Sequence, residues 1–205
     1  MKVKGWLEWQ FVKEGFKNLF WNFHYLVLFG IFTLIAMAGV ITLGPGVMAL
    51  ASSTRLAALD EKVTIGFYFK EFKRLFLPGL FLSAIVIIIL ASLWSSLNIL
   101  ASDRSNLENA IAYISIALIT TLSFFLFYYP FAGFGEKKVL TIITKSFIYT
   151  LGHLWDTVVQ ISIILILWRL LSISPPVLAI LFLPLSCFTV NRFIIANNKA
   201  VDDNK

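Results

Sequence analysis

Three polar side chains recur at helical spacing inside an otherwise apolar stretch of the chain. His153, Asp156 and Gln160 are three and four residues apart, and this spacing places them on one face of an α-helix. An imidazole, a carboxylate and an amide can together exchange protons or hold a polar solute. Because ionisable groups within membrane helices usually mark functional sites, this face is a candidate polar intramembrane site.

Asp156 also has a purely structural interpretation. It stands about one turn from the start of its predicted helix, where a carboxylate can cap the helix and favour the positive end of its dipole. Arg55, predicted at a similar depth, could pair with Asp156, or its stem could carry the guanidinium to the lipid headgroups. The candidate site therefore comprises His153, Asp156, Gln160 and Arg55, with both interpretations open.

The usual sequence signatures of catalysis and cofactor binding are absent from the chain. It contains no HExxH, Walker A, GxGxxG or GxSxG motif, and it has two histidines and a single cysteine, Cys187. One cysteine can form neither an intrachain disulfide nor a zinc cluster nor a redox pair. We therefore expect no enzymatic activity, no catalytic residue, no cofactor and no metal.

The composition indicates that membrane helices position these residues. Hydrophobic residues make up 59% of the 205 residues, charged residues 14%, and the mean hydropathy is +0.87. Soluble domains have about 45–50% apolar residues. The net charge of +6 is scattered among apolar runs and forms no basic stripe of the kind that binds nucleic acid. We expect one all-α integral membrane domain, residues 1–205.

The apolar runs predict five membrane helices and a sixth, shorter one. The predicted spans are residues 19–40, 45–59, 77–100, 110–131, 154–171 and 177–196. Gly44, Pro45 and Gly46 are predicted to form a turn, since two glycines and a proline disfavour a continued helix. Residues 45–59 would then form a helix of about 22 Å, which is short for a full crossing. A turn at residues 172–176 and a polar tail at 197–205 complete the polytopic bundle.

Three amphipathic helices are predicted ahead of alternate spans, at about residues 4–20, 66–76 and 137–152. In the first, Trp9, Phe16 and Leu19 recur at helical spacing opposite Lys13 and Lys17, as is typical of interfacial helices on an anionic membrane surface. The chain would thus repeat one unit three times, an amphipathic helix followed by two spans. The shared composition of basic interfacial helices explains the likeness between these segments equally well.

The distribution of basic residues predicts the orientation in the membrane. With six crossings and a cytoplasmic amino terminus, only Arg104 and Arg169 of the 17 basic residues lie on the outer side. The best arrangement with five crossings leaves six of them outside. Because cytoplasmic loops of membrane proteins are enriched in Lys and Arg, we expect six crossings and cytoplasmic termini.

Part of the sequence resembles a known family. The residues that carry the resemblance are Thr42-Leu43-Gly44-Pro45, Arg55, Asp60-Glu61, the aromatic residues Phe69, Phe72 and Phe76, and Tyr129-Pro130. In these the chain resembles the YesL-like family of bacterial integral membrane proteins, a domain of unknown function. The resemblance implies the bacterial cytoplasmic membrane. Members are often encoded beside carbohydrate importers, which implies an accessory role in carbohydrate uptake or its sensing.

Two functions follow as expectations. The first is a non-enzymatic accessory protein whose basic helices contact the anionic inner leaflet or the cytoplasmic side of a partner, such as an ABC transporter permease or a sensor-kinase subunit. The second is a small stand-alone transporter or channel for a small solute. The break at Gly44–Gly46 and the face of Asp156 favour the second, because broken helices and buried carboxylates line transport paths.

Overall fold

The structure, a computed structural model, describes residues 9–101, 106–136, 138–171 and 175–202. The regular elements of this part of the chain are all helical. They are α1 (Trp9–Trp21), α2 (Phe23–Ala38), α3 (Leu43–Ala58), α4 (Ile65–Arg74), α5 (Phe76–Ala101), α6 (Asn106–Phe125), α7 (Tyr129–Ala132), α8 (Val139–Gly152), α9 (Leu154–Leu171) and α10 (Pro175–Asp202), with a 3-10 turn at Val40–Thr42.

Several of these helices are long and apolar enough to cross a membrane. Four stretches meet this condition alone, namely Val40–Ala58, Phe76–Ala101, Asn106–Ala132 and Ile180–Asn198. Two bent pairs meet it jointly, with bends of 67° between α1 and α2 and of 96° between α8 and α9. The described residues thus hold four candidate spans, or up to six when each bent pair is one span. The prediction of an all-helical chain with apolar helices of membrane-crossing length is confirmed.

Short helices precede long ones three times along the chain. α1, α4 and α8 are each separated from the following helix by one residue, and these residues are Asn22, Leu75 and His153. The order therefore recurs as α1-α2-α3, α4-α5-α6 and α8-α9-α10, with α7 inserted before the last unit. The first eight residues of the chain, where the first amphipathic helix is predicted to begin, lie outside the described part. The location of the short helices at a lipid interface stays a prediction.

The structure corrects the predicted turn at Gly44, Pro45 and Gly46, which instead belong to the beginning of α3. The chain turns earlier, at Gly39 and the 3-10 turn, where the Thr42 hydroxyl donates to the Gly39 carbonyl at 2.8 Å. Pro45 is compatible with this position because the first N–H groups of a helix have no intrahelical partner.

The glycines at this point allow two helices to touch through their backbones. A Cβ atom on Gly44 would lie 1.9 Å from the Gly79 carbonyl oxygen of α5, and one on Gly79 would lie 2.3 Å from the Pro45 nitrogen. The Gly44 N–H donates to the Ser83 hydroxyl at 2.8 Å, and this hydroxyl donates to the Ile41 carbonyl at 3.0 Å. Small residues and hydroxyls thus fix the start of α5 against α3.

Two helix ends show how the chain continues near predicted boundaries. The candidate span Asn106–Ala132 covers the predicted span 110–131, and within it the α-helix α6 ends at Phe125. Because Pro130 has no N–H to donate to the Leu126 carbonyl, the chain tightens there, and Tyr129 N–H donates to that carbonyl at 2.9 Å. Residues 197–202, predicted as part of a polar tail, continue α10. The predicted turn lies mainly in residues 172–174, outside the described part.

The core lies around α3, which packs against α2, α4, α5 and α10. We call α2, α3, α4 and α10 the compact half, and α5 with α6 the hairpin. Two-thirds of the span windows of α3 and α10 are buried, 67% in each, against 22% for α5 and 6% for the Asn106–Ala132 window that contains α6. The hairpin is therefore attached mainly through the first turns of α5, where Pro78, Gly79, Leu82 and Ser83 are buried.

Candidate functional site

The bend between α8 and α9 brings two of the predicted site residues together. His153 is the single residue between the two helices, and its Nδ1 lies 3.3 Å from Oδ2 of Asp156. The side chain of Asp156 is almost fully enclosed, since the residue is 3% exposed. A buried carboxylate requires hydrogen-bond partners, and the imidazole is one of them.

A second partner comes from the other end of the sequence. The side-chain amide of Asn197, on α10, donates to Asp156 Oδ2 at 3.1 Å, and its nitrogen lies 3.4 Å from His153 Nδ1. Asn197 was predicted to lie in a polar tail, and its hydrogen bond to Asp156 was not expected from the sequence. The available signal was an amide pair, Asn197-Asn198, directly after an apolar run. Because α10 remains helical past the predicted end of the span, Asn197 reaches the start of α9.

The position of Asp156 in α9 is also compatible with the structural interpretation. Asp156 is the third residue of α9, in its first turn, where a carboxylate interacts favourably with the helix dipole. Its carboxylate, however, also contacts His153 and accepts a hydrogen bond from Asn197 on a different helix. The carboxylate therefore ties α9 to α10 in addition to any effect on its own helix.

Gln160 lies one turn further into the bundle and is 2% exposed. Neither its amide nitrogen nor its amide oxygen has a hydrogen-bond partner among the described residues. Between Gln160 and Asp156, the Thr157 hydroxyl donates to the Tyr128 hydroxyl at 3.3 Å. The polar face of α9 therefore continues inward from Asp156 through Thr157 to Gln160.

Arg55 joins His153 on the wall of a cavity of about 500 Å³. The guanidinium carbon lies 4.5 Å from the centre of the Phe134 ring, a cation–π arrangement. Within the described part of the chain, no carboxylate oxygen lies within ion-pair distance of Arg55, so the predicted pairing with Asp156 is not observed. The long stem instead directs the guanidinium towards an aromatic ring at the cavity wall.

Aromatic rings and a second cation complete this cavity. The Tyr149 ring stacks on the His153 imidazole with centroids 4.6 Å apart, and it meets the Tyr128 ring edge-on at the same separation. Lys145, on α8, lies on the wall and its ammonium contacts Glu136 at 2.5 Å. The cavity thus combines apolar ring surface with positively charged groups.

A second set of polar contacts lies between α3 and α10 and was also missed from the sequence. Asn191 is fully buried, and its amide donates to the Ala51 carbonyl at 2.8 Å and to the Thr54 hydroxyl at 3.0 Å. The neighbouring Arg192 donates to the Ala58 carbonyl at 3.2 Å. These bonds join the two most buried helices, so polar groups hold the compact half together.

Comparison of the chain with protein-family models, with characterised proteins and with solved structures gives no match. The resemblance to the YesL-like family therefore stays a prediction from the residues that carry it.

Proposed function

We propose that this chain is a non-enzymatic accessory protein of a membrane complex and that its hairpin binds a transmembrane helix of a partner protein. The observation that supports the proposal is the unequal burial of equivalent helices. α3, α6 and α10 are the third helices of the three units, yet the span windows are 67% buried for α3 and α10 and 6% buried for α6. In this proposal, a partner helix supplies the missing contact.

The surface of the hairpin has the residue types that membrane helices use to associate. A groove between α5 and α6, about 550 Å³ in volume, is lined by Ser92, Ser95, Ser96, Ala112 and Ser115 among others. Further along α6, exposed Thr120, Thr121 and Ser123 donate their hydroxyls to carbonyls of their own helix. Small residues allow close approach of a second helix, and hydroxyls can exchange these bonds for contacts across the interface.

The class of partner comes from the sequence. The YesL-like resemblance implies an association with carbohydrate uptake or its sensing, so the proposed partner is an ABC transporter permease or a sensor-kinase subunit. The basic short helices α1 and α4, which carry exposed Lys17 and Lys73, would lie along the anionic inner leaflet beside it.

Affinity purification of the tagged chain from its native membrane in mild detergent, followed by mass spectrometry, tests this proposal. We expect a membrane-protein subunit in stoichiometric amount. Ser115→Leu fills the groove and should release that subunit. Ser162→Leu is the matched control, because Ser162 is an exposed serine on α9 with the same bond to its own helix, from its hydroxyl to the Val158 carbonyl at 2.9 Å. A chain purified alone, or equal loss in both variants, would contradict the proposal.

A second candidate function is a small carrier, and the hydrogen bonds of Asp156 favour it. The buried carboxylate contacts His153, which lines the cavity, and an imidazole beside a carboxylate is an arrangement that can relay protons. In proteoliposomes with an internal pH-sensitive dye, the carrier function predicts proton flux that Asp156→Asn abolishes while expression is unchanged. Absence of flux in the unaltered chain would reject proton-coupled transport.

The proposed orientation places both termini and the loop after α3 in the cytoplasm of a bacterial cell. In that loop Asp60 has a φ of 62°, which disfavours most side chains, so the neighbouring exposed Glu61 is the better position for a reporter cysteine. With Cys187 replaced by serine, Glu61→Cys should resist a membrane-impermeant thiol reagent in intact cells. Labelling before the membrane is opened would contradict six crossings with cytoplasmic termini.

A further inference from the structure

We infer that the cavity beside Arg55 binds an organic phosphate through the Arg55 guanidinium. This inference is independent of the proposed partner helix, because the cavity is lined by α3, α8, the α7 region and α10, whereas the groove lies between α5 and α6. Its volume of about 500 Å³ is in the range of small-molecule sites, roughly 300–1,000 Å³.

The charge of the cavity indicates an anion. Arg55 is a partly buried residue of α3 without a carboxylate partner among the described residues, and its Nε is buried without a hydrogen bond. A cation removed from water without a counter-ion is costly, and a bound anion would remove that cost. The guanidinium keeps its charge under all physiological conditions, so the attraction for an anion persists across that pH range.

The other groups on the wall favour phosphate over a singly charged anion. Lys145 provides a second cation on the wall, with a side chain that is 54% exposed and an ammonium that also contacts Glu136. The imidazole of His153 adds a ring nitrogen to the polar groups on the cavity wall. Two cations and a fork of guanidinium donors suit the three oxygens and the double charge of a phosphate group.

The apolar part of the wall indicates that the phosphate carries an organic body. Phe131, Phe134 and Tyr128 line the same cavity, and their rings would pack against carbon atoms of the ligand. Two sources share this chemistry, the headgroup of an anionic phospholipid and a soluble phosphate ester. Both would place the phosphate beside Arg55 and the carbon atoms on the rings.

The experiment uses the full chain in nanodiscs and follows unfolding by tryptophan fluorescence. One arm adds glycerol 3-phosphate to nanodiscs of phosphatidylcholine, and the other includes phosphatidylglycerol in the bilayer. Binding should raise the melting temperature by about 5 °C near saturation in at least one arm. A rise in the first arm identifies a soluble ester, and a rise confined to the second identifies the lipid headgroup.

Arg55→Gln should abolish the rise. Lys73→Gln is the matched control, since Lys73 is an exposed cation on α4 that does not line the cavity, and it should retain the full rise. If Arg55→Gln fails to fold, Arg55→Lys decides, because a point charge without the guanidinium fork should bind about tenfold more weakly. No rise in either arm, an equal rise in Arg55→Gln, or an unchanged affinity in Arg55→Lys would overturn the inference.

Discussion

The helices of the compact half are more buried than those of the hairpin, although they are less hydrophobic. The spans of α3 and α10 have mean hydropathies of 1.2 and 1.5 and are 67% buried, whereas α5 and the α6 stretch reach 2.6 and 2.2 and are 22% and 6% buried. In a soluble protein the most apolar helices lie inside. Lipid is as apolar as a leucine side chain, so in a membrane hydropathy alone does not draw a helix into the bundle.

The two regions differ in what their polar groups do. In the compact half, buried polar side chains join different helices, as Asn191 does between α10 and α3. On α6 of the hairpin, exposed hydroxyls such as that of Thr121 bond to their own helix, and the interhelical bonds of Ser83 lie at the start of α5, where the hairpin meets α3. Interhelical hydrogen bonds and close backbone contacts drive helix association in lipid. The polar and small residues of α3 therefore explain why this helix lies at the centre of the bundle.

The largest expected effect comes from separating the two regions at their backbone contact. Gly44→Ala puts a Cβ atom 1.9 Å from the Gly79 carbonyl, so α3 and α5 must move apart. We expect the free energy of unfolding to fall by about 3 kcal/mol, measured by thermal or denaturant unfolding in detergent. Gly66→Ala is the control, because a Cβ atom there meets nothing within 4 Å. Equal stability of the two variants would show that this contact does not hold the hairpin.

A smaller effect is expected when the side-chain hydrogen bonds of one polar residue in each region are removed. Asn191→Leu loses the bonds to the Ala51 carbonyl and the Thr54 hydroxyl and should lower the free energy of unfolding by about 1 kcal/mol. Thr121→Val loses a bond within its own helix at an exposed position and should change it by much less. If Thr121→Val lowers the free energy of unfolding as much as Asn191→Leu in the same assay, the polar groups of the two regions do not differ in their contribution to stability.

The smallest expected effect is a change in stability that appears only at alkaline pH. It is tested by replacing one buried and one exposed tyrosine. Tyr68, on α4 outside the membrane-spanning segments, is 1% exposed, and its hydroxyl lies 3.1 Å from that of Thr33. Burial raises the pKa of Tyr68. In the unfolded chain the pKa of a tyrosine is about 10, and below that pH the contribution of Tyr68 to stability is fully present. This contribution is lost as the pH rises through the higher pKa that Tyr68 has in the folded chain.

Tyr68→Phe should remove that loss, so its melting temperature should fall less than that of the unaltered chain between pH 9 and 11. Tyr113→Phe, at a position 64% exposed on α6, should follow the unaltered chain. If both variants lose the same alkaline sensitivity, the two regions do not differ in how they enclose a tyrosine.

The candidate site was partly predictable because its predicted members are close in sequence. His153 and Asp156 are three residues apart, so any helical or bent arrangement near them keeps them within reach. Asn197 and Arg55 belong to other helices, and their position depends on how α10 and α3 pack against the α8–α9 bend. Of the two placements that the sequence left open for Arg55, the pair with Asp156 is not observed among the described residues, because depth in a membrane does not specify which side of a helix a residue faces.

The helical class and the presence of several apolar stretches long enough to cross a membrane followed from the sequence alone. These are local properties, set by runs of apolar residues and by the spacing of charges. The helical start of α3 at Gly44-Pro45-Gly46, the contact of Gly44 with Gly79 and the burial of α3 against the exposure of α6 were decided only by the tertiary structure. They depend on which helices meet, and in lipid that choice rests on close fit and a few polar contacts whose partners are distant in sequence.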